Sequence, residues 1–515
     1  MTVAVDPASL PRLLGAHFTI DPDRLKRYEI PERGEPGKAS GLVVPHSEAE
    51  VGQLLATCSA NGIALVVSAG RTGLVEAQRP DGECVLSLER LNRPLSFTSP
   101  DGEVFTFDAA AAASPEAAAD ALGAWWRALG QPPCHDGVLE VQAGMAVDAV
   151  NLILGALGLM WPMEMGSSSA ASVGGCIANA SAGANAVCYG TAAHLAVQAI
   201  GFSGDGRDVI SDAPVWKPVP ADILAINSAQ PRPEWGLIGT QGVLGVITRA
   251  KLRAYAIPVQ REAALLPVAD MPAAMRILAA ARALFGDDVE EFEFIGKPAL
   301  ELVRELRGEA FRSPLARHDA PYYLLLQVKS HKAHVDLAGM LYEFLADDVG
   351  LAEDDIGYAP LKALKEIRHS ITEASNARMR KLGGGRLSFD TATPVAVFGD
   401  YLKVLEQELS AEFPDVALIA FGHAGVGGAH LHILGSKQSP ASVHAKALTR
   451  ILFDVTQDFG GTFSAEHGVG SKWGSEFIAR APKDVQAALV AAKRRHDPQM
   501  TLSPRNFALD RLVQA

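Results

Sequence analysis

The segment Ile63-Ala-Leu-Val-Val-Ser-Ala-Gly-Arg-Thr-Gly73 joins a short apolar run to a loop of small residues. Ile63–Val67 reads as a buried strand, and Ser68–Gly73 as the loop that leaves it. Upstream, Leu42–Pro45 is a second strand. Between the two, Ser47 caps a helix, with Glu50 three residues on to complete a capping box. Val51, Leu54, Leu55 and Cys58 supply its apolar face, and Asn61-Gly62 closes it. Downstream, Val85–Leu88 is another strand. Strand, helix and strand in this order give residues 39–92 an α/β texture.

Further along the chain the texture changes. Residues 93–137 hold a strand (Val104–Phe107) and an Ala-rich helix from about Ser114 to Leu129, carrying Trp125-Trp126 and leading to Gln131-Pro-Pro-Cys134. Either the segment is a helical elaboration packed by its own tryptophans, or it is a docking surface, since adjacent residues of a helix cannot both face one core. Residues 138–257 return to short elements: strand Leu139–Ala143, helix Val147–Leu157, a hairpin turn at Phe202–Arg207, and strand Val246–Leu252 after Gly239–Gly245. Gly166–Tyr189 is a long run of small residues. Such a run lets backbone approach a phosphate or a flat ring closely. No G-x-G-x-x-G stands between a strand and a helix, so a Rossmann site is not supported. After Pro258, amphipathic helices (Ala273–Phe285, Pro298–Arg307, Val335–Ala346, Tyr401–Phe413) alternate with strands (Tyr322–Val328, Ala417–Phe421), and Asp484–Arg495 is a final helix.

At 515 residues the chain is too long for one core. A net charge of -13 argues against nucleic acid as a partner. No apolar run is long enough to span a bilayer, and Met1–Arg12 lacks the pattern of a signal peptide. The five cysteines are widely spaced without a C-x-x-C, the pattern of free thiols in a reducing cytoplasm.

The chemistry-bearing residues lie late in the chain. His423 and His430 flank one Gly-rich loop, and Glu466-His467 opens another at Gly468–Gly470. Two imidazoles and a carboxylate form the protein ligand set of an open catalytic Zn²⁺ site. His467 supplies a base beside it. Two histidines at this spacing also arise by chance, so the pattern alone is a hypothesis.

Together these landmarks resemble one family. Ser68–Leu74 (SAGRTGL), Val85–Asn92 (VLSLERLN), Val141–Gly144 (VQAG), Val173–Tyr189, Ile238–Thr248 (IGTQGVLGVIT), Arg368–Ala374 (RHSITEA), Gly422–His430 and Ala465–Gly470 (AEHGVG) occur in the order seen in FAD-linked D-2-hydroxyacid dehydrogenases. That group, of the vanillyl-alcohol-oxidase/PCMH fold, includes D-2-hydroxyglutarate dehydrogenase, D-lactate dehydrogenase and the glycolate oxidase flavin subunit. The resemblance implies an α+β architecture. An N-terminal segment (1–38) precedes a two-subdomain PCMH-type FAD-binding domain (39–257, with a helical insertion at about 98–137). A substrate or cap domain bearing the metal follows (258–480), and a C-terminal helical segment (481–515) returns to the FAD domain.

By the same resemblance, Ser68, Ala69, Gly70, Arg71, Thr72 and Gly73 face the FAD pyrophosphate, Gly166, Ser167, Gly174 and Gly175 let the dinucleotide pass, and Val246 lies near its adenine end. The pyrophosphate loop holds no His, so the FAD is expected to be non-covalent. Arg368 is the expected clamp for a substrate carboxylate and Thr372, one helical turn on, a lining residue. His467 is the expected base. His423, His430 and Glu466 would hold a divalent metal, Zn²⁺ or Mn²⁺, acting as a Lewis acid. Relatives carry G-H-x-G-D-G-N-L-H-x-N in the first loop; here Val426, Gly428 and His432 replace its Asp, first Asn and last Asn. His432 therefore lines the pocket or joins the metal. The Lys that grips a distal carboxylate in relatives has no clear counterpart, with Arg386 or Ser388 falling in its region, so a neutral or bulkier side chain is open beside a dicarboxylate. Leu502-Ser-Pro504 departs from Leu-Asn-Pro.

The expected activity is FAD-dependent oxidation of a D-2-hydroxy acid, with electrons passing to an electron-transfer protein or quinone. The expected place is the cytoplasm, free or peripheral to the inner membrane, and a homodimer is open. Two alternatives stand beside it: a low-activity flavin-binding subunit docking through Trp125-Trp126, and a zinc hydrolase sharing the His/His/Glu set.

Overall fold

The computed structural model describes residues 10–131, 133–311, 314 and 319–514. Met1–Ser9 of the N-terminal segment, and Pro132 within Gln131–Cys134, lie outside them.

Three sheets organise the chain. The first holds β1 (Phe18–Thr19), β2 (Gly41–Val43), β3 (Leu65–Ser68) and β4 (Cys84–Ser87) in the order β1-β2-β4-β3. β4 runs parallel to both β2 and β3, as the strand–helix–strand pattern requires. The second holds β5 (Pro94–Thr98), β6 (Val104–Thr106), β7 (Asp136–Gln142), β8 (Leu159–Met160), β9 (Ala196–Ser203), β10 (Asp208–Asp212) and β11 (Gly245–Ala256), all antiparallel, in the order β10-β9-β11-β7-β5-β6 with β8 on β11. The third is antiparallel and comes from the C-terminal half: β12 (Gln260–Val268), β13 (Val289–Gly296), β14 (Tyr322–Ser330), β15 (Gly383–Ala392), β16 (Ala417–Gly422) and β17 (Gly428–Ser436), in the order β12-β14-β13-β16-β17-β15.

The helix Glu48–Asn61 starts at Ser47, whose Oγ accepts the Glu50 amide at 3.3 Å, and ends on Gly62 at φ 65°. The expected capping box is displaced by one residue. The Glu50 carboxylate accepts from the amide of His46, not of Ser47. The helix expected over Val335–Ala346 is α-helical only over Leu337–Glu343 and widens to a π turn at Phe344–Asp348.

Trp125 and Trp126 both lie half-buried against the core of the second sheet. Trp125 meets Phe105 at 5.4 Å and Phe97 edge-on at 6.5 Å, and Trp126 packs on the Trp125 ring at 5.7 Å. The expectation that neighbours on a helix cannot share one core is corrected here, because indole is wide enough for the second ring to reach the core over the first. This favours the local-elaboration reading of the segment.

The C-terminal helix Lys483–His496 brings the chain back alongside β3. Leu65 donates to Thr501 O and Ser503 donates to Leu65 O. Fully buried Lys493 anchors this return: its Nζ contacts Asp497 at 2.6 Å and donates to Val243 O at 2.7 Å. A buried ammonium is tolerated only with such partners.

Candidate active site

One cavity of about 860 Å³ runs from the loop after β3 to the His/Glu cluster on the third sheet. At the first end, Ser68, Ala69, Gly70, Arg71, Thr72 and Gly73 line it, and Gly166, Ser167, Gly174, Gly175 and Val246 form the walls. Among the described residues the amides of Gly70, Arg71, Thr72 and Gly73 donate to no protein acceptor, and Ser68 Oγ is buried without a partner. Unspent donors in a left-turning loop (Arg71 has φ 59°) form a nest for an anion, which fits a pyrophosphate. The glycines divide by role. A Cβ on Gly166 would meet nothing within 4 Å. On Gly174 it would stand 2.5 Å from Ala143 Cβ, so that glycine also serves the packing of its helix on the β7 end.

At the other end, β16 stops at Gly422 and β17 starts at Gly428, and the turn between them carries His423. A Cβ on Gly427 would lie 2.0 Å from Thr393 O, so the turn needs its glycine. His430 faces His423 with Nε2 atoms 3.3 Å apart. Glu466 Oε1 lies 3.3 Å from His430 Nε2 and Oε2 lies 3.6 Å from His423 Nε2. One ligand atom from each falls within 4.8 Å of the others. Burial pushes Glu466 up to about 8 against the pull of His423, while burial together with the His423 charge holds His430 well below its ordinary value. Glu466 Oε2 is buried with no hydrogen-bond donor. Converging lone pairs, a starved carboxylate and a desolvated imidazole are what a divalent cation would satisfy, so the three residues fit one.

His467 stands beside this cluster, its ring stacked on His430 at 5.5 Å and its Nε2 3.4 Å from Glu466 Oε1. Burial lowers its pKa although Asp390 opposes the shift, so the imidazole is neutral at neutral pH. Arg368 and Thr372 line the same cavity. They do not share one continuous helix as expected: the helix Leu361–His369 ends at Ser370 and a second begins at Ile371, and the bend still turns both side chains to the cavity. Arg368 lies over the Phe421 ring at 4.7 Å. Its ion partner is Glu293, which accepts from Nε at 2.7 Å.

His432 lines the cavity outside the three-residue cluster and contacts Ser375 Oγ at 3.0 Å. Arg386 is not on the wall. Its charge bears on His432, and burial with the charge of Arg33 holds Arg386 down to about 10.

Sequence reading missed several residues. Glu293 bridges Arg368 and His423, and Asp390 holds the Glu466-His467 turn. Asn179 donates to Glu466 O at 2.7 Å, and Gln241 Oε1 accepts the Val469 and Gly470 amides. One signal was available for Glu293. In Val289–Gly296 (VEEFEFIG) Glu291 and Glu293 alternate with Phe292 and Phe294, a strand pattern whose charged face is also buried.

The chain is similar to known proteins in sequence and in fold. The family of FAD binding domains matches residues 39–120 and 132–207, and that of FAD linked oxidases, C-terminal domain, matches residues 257–507. D-2-hydroxyglutarate dehydrogenase of Xanthomonas citri pv. viticola is 27% identical over 476 residues, covering 90% of this chain and 88% of that protein. The mitochondrial D-2-hydroxyglutarate dehydrogenase of Bos taurus is 24% identical over 507 residues, covering 97% and 82%. In fold the chain is similar to p-cresol methylhydroxylase, with a TM-score of 0.63 at 14% identity over 97% of this chain and 96% of that one. It is likewise similar to alkyldihydroxyacetonephosphate synthase, with a TM-score of 0.64 at 14% identity over 98% and 85%.

A PCMH-type fold with an amide-lined loop facing a histidine-rich cap makes this an FAD-binding flavoprotein of the FAD-linked oxidase class. Within that class, the chain is similar over most of its length to D-2-hydroxyglutarate dehydrogenases.

Proposed function

We propose that the protein oxidises a D-2-hydroxy acid to the 2-oxo acid in the cavity between the amide-lined loop and the His/Glu cluster. The observation that carries this reading is convergence: Arg368, His467 and the His423/His430/Glu466 set all line the cavity that the Ser68–Gly73 loop opens onto. Non-covalently bound FAD would supply the hydride acceptor, and a divalent metal, Zn²⁺ or Mn²⁺, would be held by His423, His430 and Glu466 and would supply Lewis acidity.

The chain's own residues do the rest. Arg368 grips the substrate carboxylate with the guanidinium edge that Glu293 leaves unused. Thr372 lines the pocket next to it. His467 takes the hydroxyl proton, with Asp390 fixing the ring.

Arg33 lines the cavity, and its charge bears on buried Arg386 and Lys472, neither of which lines it. Burial and Arg33 push Lys472 down to about 8, and Arg386 Nη1 is buried with no acceptor. This favours a substrate with a second anionic group over the neutral or bulkier side chain left open by the sequence. The absence of a nicotinamide motif supports electron transfer to a carrier protein or quinone. The cytoplasm, with or without peripheral attachment to the inner membrane, is the proposed location; among the described residues no helix is long and apolar enough to cross a membrane.

The test is an anaerobic screen of D-2-hydroxy acids read by bleaching of the oxidised flavin band. D-2-hydroxyglutarate should bleach it at lower concentration than D-lactate. A flavin that stays oxidised across the whole panel would overturn the activity, and a preference for D-lactate would overturn the anionic side chain.

A further inference from the structure

We infer that Glu293 is a positioning residue that couples the His423/His430/Glu466 cluster to the Arg368 clamp, so that one buried carboxylate sets the geometry of both. The inference rests, for its substrate half, on the proposed role of Arg368.

Glu293 is 1% exposed, and its two oxygens are spent on two different partners. Oε1 lies 2.6 Å from His423 Nδ1, and Oε2 accepts from Arg368 Nε at 2.7 Å. These partners are 130 and 75 residues away in the chain. Strand pairing brings them together. β13 pairs with β16 at Ile295–Phe421 and Phe294–Gly422, and one step further along the same register His423 comes opposite Glu293. Phe421, two residues before His423, carries the Arg368 guanidinium on its ring face. Glu293 therefore stands where the histidine turn and the arginine helix meet.

Each oxygen does a separate job. An ionised carboxylate only accepts, so His423 donates through Nδ1 and its Nε2 lone pair turns to Glu466 and His430. At Arg368 the carboxylate occupies the Nε edge, which fixes the guanidinium plane and turns the terminal Nη edge to an incoming carboxylate. Burial by itself would disfavour the Glu293 carboxylate, and the two donors, His423 Nδ1 and Arg368 Nε, satisfy one oxygen each. The group is thus a buried acceptor shared by two segments of the chain. Glutamine has the same shape but one acceptor oxygen, and its NH₂ must oppose one of the two donors.

The test is a double-mutant cycle of Glu293→Gln with Arg368→Lys, read by metal affinity and by steady-state kinetics. Zn²⁺ affinity is measured on the flavin-loaded protein by competition with a chromophoric chelator, and flavin content and thermal midpoint are recorded alongside. Glu293→Gln should weaken Zn²⁺ binding on the order of 10–100-fold, the usual effect of losing the partner behind a ligating imidazole. It should also raise KM for the hydroxy acid. In the Arg368→Lys background the KM effect of Glu293→Gln should vanish, while its effect on Zn²⁺ affinity should persist. A general loss of stability would give additive effects in both readouts. The inference is overturned by unchanged Zn²⁺ affinity in Glu293→Gln, or by a KM effect that persists undiminished beside Arg368→Lys. If the glutamine variant does not fold, Glu293→Asp replaces it in the same cycle, since its shorter reach cannot span both partners. An Arg368→Lys single variant with wild-type KM would instead remove the proposed clamp and leave the metal half of the test intact.

Discussion

Asp390 holds His467 twice: Oδ2 accepts the His467 amide at 2.8 Å and lies 3.5 Å from its ring Nδ1. The same oxygen accepts the Glu466 amide at 2.9 Å, so one carboxylate shapes the turn that presents the proposed metal ligand and the proposed base side by side. Asp390 is placed for this by strand register, directly opposite His430 on β17.

Removing the base should lower turnover without emptying the metal site. His467→Ala is expected to reduce kcat by about 10²–10⁴-fold, the usual share of a general base, with metal content unchanged. Asp390→Asn should give a smaller loss, since it disturbs the ring and the turn but leaves the imidazole in place. Rapid-mixing measurement of flavin reduction decides this. Wild-type reduction rates in His467→Ala would remove the base assignment.

Chelation should abolish substrate-dependent flavin reduction while leaving the flavin bound, because the two ends of the cavity use different residues. Added Zn²⁺ or Mn²⁺ should restore reduction in the wild type but not in His430→Ala. Reduction that ignores the chelator, in protein found metal-free by elemental analysis, would defeat the ligand assignment.

Gly70→Ala should cost flavin occupancy. The new Cβ would stand 2.2 Å from Ala170 O and 2.9 Å from Ser172 N, both main-chain atoms that no side-chain rotation can relieve. Overpacking of this kind costs about 1–3 kcal/mol and would displace the amide nest. The ratio of flavin absorbance to protein in the purified variant is the measurement, and a wild-type ratio would show that the loop tolerates the shift.

His194 should contribute an acid limb to stability. Its ring is packed edge-on against Trp216 at 4.9 Å, its Nδ1 accepts the Thr191 amide, and burial lowers its pKa to about 4, with Arg232 adding to the effect. The folded value lies below the unfolded one of 6.5. The unfolded state therefore binds the proton first: the contribution is complete above pH 6.5, falls as the pH drops toward 4, and is flat below that. The slope from one such group is at most about 1.4 kcal/mol per pH unit. Urea unfolding at pH 7, 6 and 5 should give a shallower loss for His194→Asn than for the wild type. Equal slopes would show that the imidazole is not buried neutral.

Local patterns carried much of the architecture. The strand–helix–strand order around Ser68–Gly73, the cap at Ser47 and the hairpin at Phe202–Arg207 each depend on residues a few positions apart, which is the range of turn chemistry and side-chain periodicity. His423, His430, Glu466 and His467 were legible because their residue types are rarely placed in glycine turns without a purpose. The helix break at Ser370 was not legible, because the stretch around it keeps helical periodicity and the break is set by where the two helices pack.

The amino-acid sequence by itself determined the family, the amide-lined loop and the set of residues able to hold a metal and move a proton. Only the tertiary structure decided which groups orient them: Glu293 behind His423 and Arg368, and Asp390 beneath His467. The reason is that a buried charge is defined by its partners, and these partners come from distant segments whose meeting is fixed by strand register and not by any pattern along the chain.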